Sequence, residues 1–394
     1  MTDKITCPAV FHGLCITAYG TINPCCSSRD IVHIDDVDSI SEFWLNSQKY
    51  NQMRQDEFKP GWLPECITCD QKGKKGLVTR KDKFLKWYPA QNAEYSKSNI
   101  NTVTHMDISF GNTCNQQCIM CSSNFSSQWL KWDQEFDKTD SWFRANSNTI
   151  RLKNWSLSYK QLDDIASLVS NETKMIEIKG GEPLYDKRFE YFVTLVLEKN
   201  PKVVISTNTN GSFFTEKTVK FLNTIENFRI DVSIDGTGKV YEWIRNYSWQ
   251  DLQKNFQYAI KNLDHKITAN YTTSKYNVDH FLRFYKWCEK MNKKSKKPIG
   301  INFTQVVTTP KHQNPVYADK DRIIDGLNQL QKIRSDPGRF ASKEFSIYTP
   351  RIDLMIKYLN NCLDHKPTDK ELKKVKDADI LMSKVRGYEF DPNM

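Results

Sequence analysis

Cys114, Cys118 and Cys121 form a C-x3-C-x2-C array inside Gly111-Asn-Thr-Cys114-Asn-Gln-Gln-Cys118-Ile-Met-Cys121. Thiolates are soft ligands that select iron–sulfur clusters and zinc. Three on one tight loop can hold three irons of a four-iron cubane and leave the fourth without a protein ligand. An open iron can chelate a substrate, as the open position of a catalytic zinc does. A zinc site would need a fourth ligand; no histidine follows Cys121 closely, and Ser122 and Ser123 are poor substitutes. A closed zinc site or an inert thiol loop is the plainer alternative.

The chain holds 11 cysteines, and all but Cys288 and Cys362 precede residue 122. Thiols so clustered indicate metal rather than disulfides in a reducing compartment. Cys288 and Cys362 stand alone in helix-like surroundings and read as structural. Six of the others, from Cys7 to Cys69, fall in a segment with few periodic runs, which suggests a small module stapled by metal.

Further polar signals follow strand-like runs. Met175-Ile-Glu-Ile-Lys179 leads into Gly180-Gly181-Glu182-Pro183, where two glycines let the backbone approach a ligand closely. Ile205-Ser-Thr-Asn-Thr-Asn210-Gly211 and Asp231-Val-Ser233-Ile-Asp235-Gly236 end two later runs, and Arg245 lies beyond them. An ordinary turn and a surface arginine are the plain readings of these positions.

Together the C-x3-C-x2-C loop, the Gly-Gly-Glu-Pro turn, the Thr-Asn-Gly turn and the Ser-x-Asp-Gly segment resemble the radical S-adenosylmethionine (SAM) superfamily. The resemblance implies a [4Fe–4S] cluster on Cys114, Cys118 and Cys121, with SAM on the open iron. It places Gly180, Gly181, Glu182, Pro183, Asn210, Ser233, Asp235 and Arg245 near SAM, Arg245 as partner of its carboxylate. Met120 stands where many relatives have an aromatic residue, and is expected to pack against the adenine. The activity implied is reductive cleavage of SAM to a 5′-deoxyadenosyl radical, which removes hydrogen from a peptide or protein side chain. A flavodoxin- or ferredoxin-like donor would supply the electron.

The N-terminal cysteines resemble the Twitch, or half-SPASM, pattern: Cys7, Gly20, Cys25, then Cys66-Ile-Thr-Cys69. In such relatives, found among bacteria and their phages, four cysteines hold an auxiliary [4Fe–4S] cluster. A four-thiolate zinc would close the site equally well. Cys26 could replace Cys25, and Cys15 is a spare thiol or an open-site ligand. Pro64, Glu65, Gly76, Thr79 and Arg80 add to this likeness.

These residues need a scaffold. From residue 102, β-type runs at Val103–Ser109, Met175–Lys179, Val203–Thr207, Phe228–Ser233, Ile267–Thr273 and Ile299–Val306 alternate with helical patterns. The latter cover Tyr159–Val169, Arg188–Glu198, Thr215–Asn223, Trp249–Asn262 and Val278–Met291. Such alternation predicts a parallel sheet, curled by right-handed crossovers into a partial (β/α)6 TIM-like barrel. Ligands of such sheets bind at the carboxyl ends of the strands, where the motifs lie. Asn270, Thr272 and Gln305 are lesser candidates for the barrel mouth. Trp129, Trp132 and Phe136 share helical spacing that reads first as a core face; Trp142, Phe143 and Trp155 lie nearby. The division expected is an auxiliary-cluster module at 1–75, a basic connector at 76–101, the barrel at 102–310 and a helical extension at 311–394. Arg322–Ile333 and Arg351–Cys362 are its clearest helices.

With 394 residues and 39% hydrophobic content, the chain is long enough for a real core. No run of about 18 apolar residues is present, nor an apolar leader, so a cytoplasmic protein is expected. The net charge of +10 suits an acidic partner. RNA or a nucleotide-derived molecule is therefore an alternative substrate, and a non-enzymatic metal-cluster binding protein is a third possibility.

Overall fold

The computed structural model describes residues 7–57, 59, 61–74, 78–87, 102–136, 153–336 and 345–392. Lys75, Gly76, Trp142 and Phe143 lie outside the described residues.

The cysteine-rich start is more regular than its sequence suggests. Helix α1 (Pro8–His12) leads into strands β1 (Gly13–Ile16), β2 (Thr21–Asn23) and β3 (Val32–His33). Helices α2 (Ile40–Asn46), α3 (Gln48–Asp56), α4 (Ile67–Lys74) and α5 (Arg80–Trp87) follow. The three strands are too short to show a period. Ser39 caps α2, accepting from Glu42 N, as N-cap serines do.

The strand–helix alternation then runs as expected. It comprises β4 (His105–Ser109), α6 (Leu130–Phe136), α7 (Tyr159–Ser167), β5 (Met175–Lys179), α8 (Arg188–Lys199) and β6 (Val204–Thr209). Next come α9 (Glu216–Leu222), β7 (Phe228–Ser233), α10 (Gly238–Arg245), α11 (Trp249–Asn262), β8 (Ile267–Thr273), α12 (Phe281–Asn292) and β9 (Gly300–Val306). This is the (β/α)6 order of a partial barrel. Strand β4 starts late because Thr104 is already bonded to His12 and Lys174. Helix α12 starts late because Ser274–Asn277 closes a turn first.

Three helices end the chain: α13 (Lys320–Ser335), α14 (Phe345–Asp364) and α15 (Asp369–Arg386). Helix α15 lies within the expected helical extension, though it was not among its clearest segments. Its signals are a Thr368–Glu371 capping box and a left-handed Gly387, both legible devices.

By packing, the chain forms two compact units: Met1–Thr113 with Trp155–Thr207 and Ile225–Phe228, and Cys114–Asn154 with Asn208–Thr224 and Arg229–Met394. In the first, β3, β2 and β1 are antiparallel neighbours, and β1 continues in parallel to β4, β5 and β6. The cysteine module thus adds strands beside β4. Alternation on β5 buries Ile176 and Ile178, while Glu177 and Lys179 are half-buried on the other face, as a pleated strand requires. The core holds Ile108, Phe110, Leu162, Ile165 and Phe192. In the second unit β7, β8 and β9 are parallel, with a register shift between Asn270 and Thr272. Tyr271, Phe281, Phe284 and Phe303 interlock there at ring separations of 5.0 to 5.8 Å. Among the described residues no helix is long and apolar enough to cross a membrane.

Candidate functional site

The loop 114–121 is irregular, so its backbone must find partners outside a ladder. It does so in the second unit. Ser126 Oγ donates to the carbonyl of Gln116 at 2.5 Å, Trp129 Nε1 to that of Cys118 at 2.9 Å, and Gln313 Nε2 to that of Ile119 at 2.6 Å. Ile119 N donates to Ile244 O at 2.9 Å. Trp129 is fully buried and Trp132 packs partly buried against the same core, so Trp129 is core and support in one. Cys114 and Cys118 are buried and Cys121 is half-buried.

Arg245 and Asp235 lie behind these thiols. Arg245 Nη1 donates to Cys118 Sγ at 3.5 Å, and Nη2 meets Asp235 Oδ2 at 2.5 Å. Asp235 also accepts from Thr272 N at 2.7 Å and is wholly buried. Burial opposes the Arg245 charge, but Asp235 and then Cys118 outweigh it and raise its pKa. A hydrogen bond from Cys121, aided by Arg245, pulls the Cys118 thiol down. The same bond and burial push Cys121 up. One thiol is therefore poised to ionise beside two others, the donor set that an iron–sulfur cluster needs.

Asn210 Nδ2 donates to Asn115 Oδ1 at 3.0 Å and lies 3.9 Å from Cys114 Sγ. Ser233 ends β7, half-buried and in register with Asn270. Met120 packs against the core of Trp129, Trp243 and Ile244. Asn270 is bonded to Asn302, and Thr272 to Gln305.

In the first unit, Gly180 and Gly181 have φ of +86° and +57°. A Cβ on Gly181 would sit 2.1 Å from Thr113 O, so only glycine fits this turn. Glu182 N donates to Thr113 O at 2.9 Å. The Glu182 carboxylate is buried and accepts from Leu184 N at 3.1 Å, capping the short turn that Pro183 opens.

The N-terminal thiols resolve into two groups. Burial pushes Cys7 and Cys66 up to about 12, and Cys25 higher still. Cys66 raises Cys7, Cys25 and Cys69 raise Cys66, and Cys7, Cys26 and Cys69 all raise Cys25. Cys7, Cys25, Cys66 and Cys69 thus share one neighbourhood, and ionising them requires a cation. Cys26 instead feels Arg80, Asp107, Lys179 and Glu177. Cys15 is buried in β1. Among the described residues no three His, Cys, Asp or Glu side chains are grouped to hold a single metal ion. In a four-iron cluster each thiolate meets a different iron.

A charged group on β4 and β5 had gone unnoticed in the sequence. Lys179 Nζ is 2.9 Å from Asp107 and 2.7 Å from Glu177, and Arg80 Nη2 is 3.6 Å from Glu177 and 3.4 Å from His105. Burial opposes the Glu177 charge, but Lys179 outweighs it and leaves the carboxyl at about 2. Polar alternation at Glu177 and Lys179 was the available signal.

Two family models match the chain: the radical SAM superfamily over residues 108–288, and the SPASM iron–sulfur cluster-binding domain over residues 7–70. No curated protein aligns with it significantly. Among solved structures, native anSMEcpe with bound AdoMet and Kp18Cys peptide is 18% identical, with a TM-score of 0.42 over 57% of this chain and 58% of that one. Streptococcus suis SuiB is 12% identical, with a TM-score of 0.38 over 69% and 60%. TYW1 with a lysine–pyruvate adduct bound is 14% identical, with a TM-score of 0.34 over 58% and 72%. The chain therefore spans less than two thirds of the first two. These likenesses are too distant to bear on the site, and the assignment rests on the two family matches.

Proposed function

The chain belongs to the radical SAM superfamily and carries a SPASM-type iron–sulfur domain, and from that premise we propose an enzyme that reductively cleaves SAM to begin radical chemistry on a peptide or protein side chain. One observation carries the reading: three thiols on a fully braced loop, with the buried Arg245–Asp235 pair against Cys118.

The cofactors of this family are a [4Fe–4S] cluster, SAM and, for the SPASM domain, auxiliary iron–sulfur. Cys114, Cys118 and Cys121 would hold the first cluster, which would supply SAM binding and the electron for its reductive cleavage. The protein binds, orients and shields. Arg245, the expected partner of the SAM carboxylate, also offsets anionic charge at Cys118, and Asp235 keeps the guanidinium buried. Gly180 and Gly181 bring the backbone close to the ligand, and Glu182, Pro183, Asn210, Ser233 and Met120 shape its surroundings. Cys7, Cys25, Cys66 and Cys69 hold the auxiliary cluster, within a module at residues 1–75. The electron comes from a flavodoxin- or ferredoxin-like protein in a cytoplasmic setting. The peptide class of substrate rests on family analogy.

The net charge of +10 favours RNA or a nucleotide-derived substrate as the second reading, which predicts salt-dependent RNA binding. The decisive experiment is anaerobic reconstitution with iron and sulfide, then SAM and dithionite. Its readouts are 5′-deoxyadenosine by mass spectrometry and iron content. Deoxyadenosine with about eight irons per chain is expected for two four-iron clusters. No deoxyadenosine, with zinc in place of iron, would leave a metal-stapled binding protein.

A further inference from the structure

Helix α15 has no role in the reading above, yet it reaches the cluster loop. Arg386, in its last turn, is a three-pronged donor. Its Nη2 donates to the Gln117 carbonyl at 2.7 Å, its Nη1 to the Gln117 side-chain oxygen at 3.1 Å, and its Nε to the Trp243 carbonyl at 2.9 Å. Gln117 immediately precedes Cys118, and Trp243 lies two residues before Arg245. One guanidinium thus ties the cluster loop to the helix that presents Arg245. The planar fork of arginine suits such a junction, and an ammonium does not.

The apolar side of α15 follows the same course. Ala378 and Met382 are buried in one core with Ile119, Trp129, Trp243 and Ile244; Leu381 and Val385 pack against that core, as do Met120 and Cys121. Gln117 is buried, so without Arg386 its carbonyl would be an acceptor short of a donor, which costs stability. Burial lowers Arg386 to about 10, so it stays charged at neutral pH, one peptide away from Cys118.

We propose that α15 is a clamp on the SAM-cluster loop and that Arg386 is its positioning residue, fixing the peptide between Gln117 and Cys118. The clamp rests on the assignment of Cys114, Cys118 and Cys121 as cluster ligands. It gives the C-terminal extension a task in cofactor retention and redox tuning rather than in substrate binding. Residues that orient ligands from behind govern metal affinity, and charge near a cluster sets its potential.

The test uses the full chain, reconstituted anaerobically. Arg386→Met and Arg386→Lys are compared with wild type and with Lys373→Met, an exposed change on the same helix. Three quantities are read: the rate of iron loss to a chelator, the potential of the cluster whose EPR signal responds to SAM, and the circular dichroism of the apoprotein. Arg386→Met is expected to lose that cluster's iron about 10–100-fold faster. Its potential should move to more negative values, because a cation that favours the reduced cluster is gone. Arg386→Lys should recover the potential but not the iron retention, and Lys373→Met should match wild type. Wild-type iron retention in Arg386→Met would overturn the clamp, and so would full rescue by lysine. If Arg386→Met does not fold, Arg386→Lys decides alone: unaltered iron retention refutes the proposal. A wild-type chain lacking any SAM-responsive signal defeats the cluster assignment itself, before a variant is made, and the clamp with it.

Discussion

Cys118 is the residue on which most of the site converges. Its carbonyl, its thiol and the peptide before it are each held by a different side chain: Trp129, Arg245 and Arg386. Cys118→Ala should therefore abolish deoxyadenosine formation and the SAM-responsive signal, as should Cys114→Ala and Cys121→Ala. Cys66→Ala and Cys69→Ala should instead leave some uncoupled SAM cleavage while weakening the N-terminal module. Deoxyadenosine at wild-type rates from the triple cysteine variant would refute the mechanism. The Arg245–Asp235 pair makes a separate prediction. Asp235 is wholly buried, so Asp235→Asn strands a buried guanidinium. Breaking such a pair costs about 3–5 kcal/mol, which urea denaturation of the apoprotein would show as a lower midpoint with an unchanged slope.

At the scale of elements, the Gly-Gly-Glu-Pro turn and the last helix carry the tests. A side chain on Gly181 meets Thr113 O at 2.1 Å and needs a left-handed backbone. The conformation alone costs about 1–2 kcal/mol, and the clash must move the turn as well. Gly181→Ala is expected to weaken SAM binding, measured by equilibrium dialysis on reconstituted protein, more than it lowers the melting temperature. Helix α15 begins at the reciprocal Thr368–Glu371 box, and Thr368→Ala should cost about 1 kcal/mol. A melting temperature equal to wild type would show that the start of α15 is not part of the cooperative unit.

For the whole molecule, acid is the informative stress. Burial holds the imidazoles of His105 and His280 down to about 4, against 6.5 for an ordinary histidine. Their folded pKa is the lower one, so the unfolded chain binds their protons first. Stability is then fully present above about pH 6.5 and lost as pH falls toward 4, at up to about 1.4 kcal/mol per pH unit for each. Below pH 4.5 Glu177, held at about 2, adds a loss of the same sign. Thermal melting of the apoprotein between pH 7.5 and 5.5 should decline, and His105→Gln with His280→Gln should flatten that decline. An unchanged slope in the double variant would mean that other groups govern it.

The chemistry was legible because it is written in contiguous residues: a C-x3-C-x2-C loop and Gly-Gly-Glu-Pro keep their meaning at short range. The alternation from β4 to β9 was legible for a related reason. Period-2 and period-3.6 patterns are local properties, so β5, β7 and β8 fall at their expected boundaries. Strands β1 to β3 did not show, because two to four residues hold no period and only pairing beside β4 makes them strands. The surroundings of Cys25 and Cys26 also lay beyond the sequence. Adjacent residues diverge in direction, and only the folded chain shows Cys25 against Cys7, Ala9 and Phe84 while Cys26 feels Arg80 and Asp107. The braces of the cluster loop are the clearest case. Gln313 and Arg386 lie 194 and 269 residues from their partners, and no local pattern marks a glutamine or an arginine for such a task. The sequence by itself determined the donor atoms and the order of elements; tertiary packing decided which distant side chains hold those donors in place, because a loop without a ladder takes its hydrogen bonds from whatever the fold brings near.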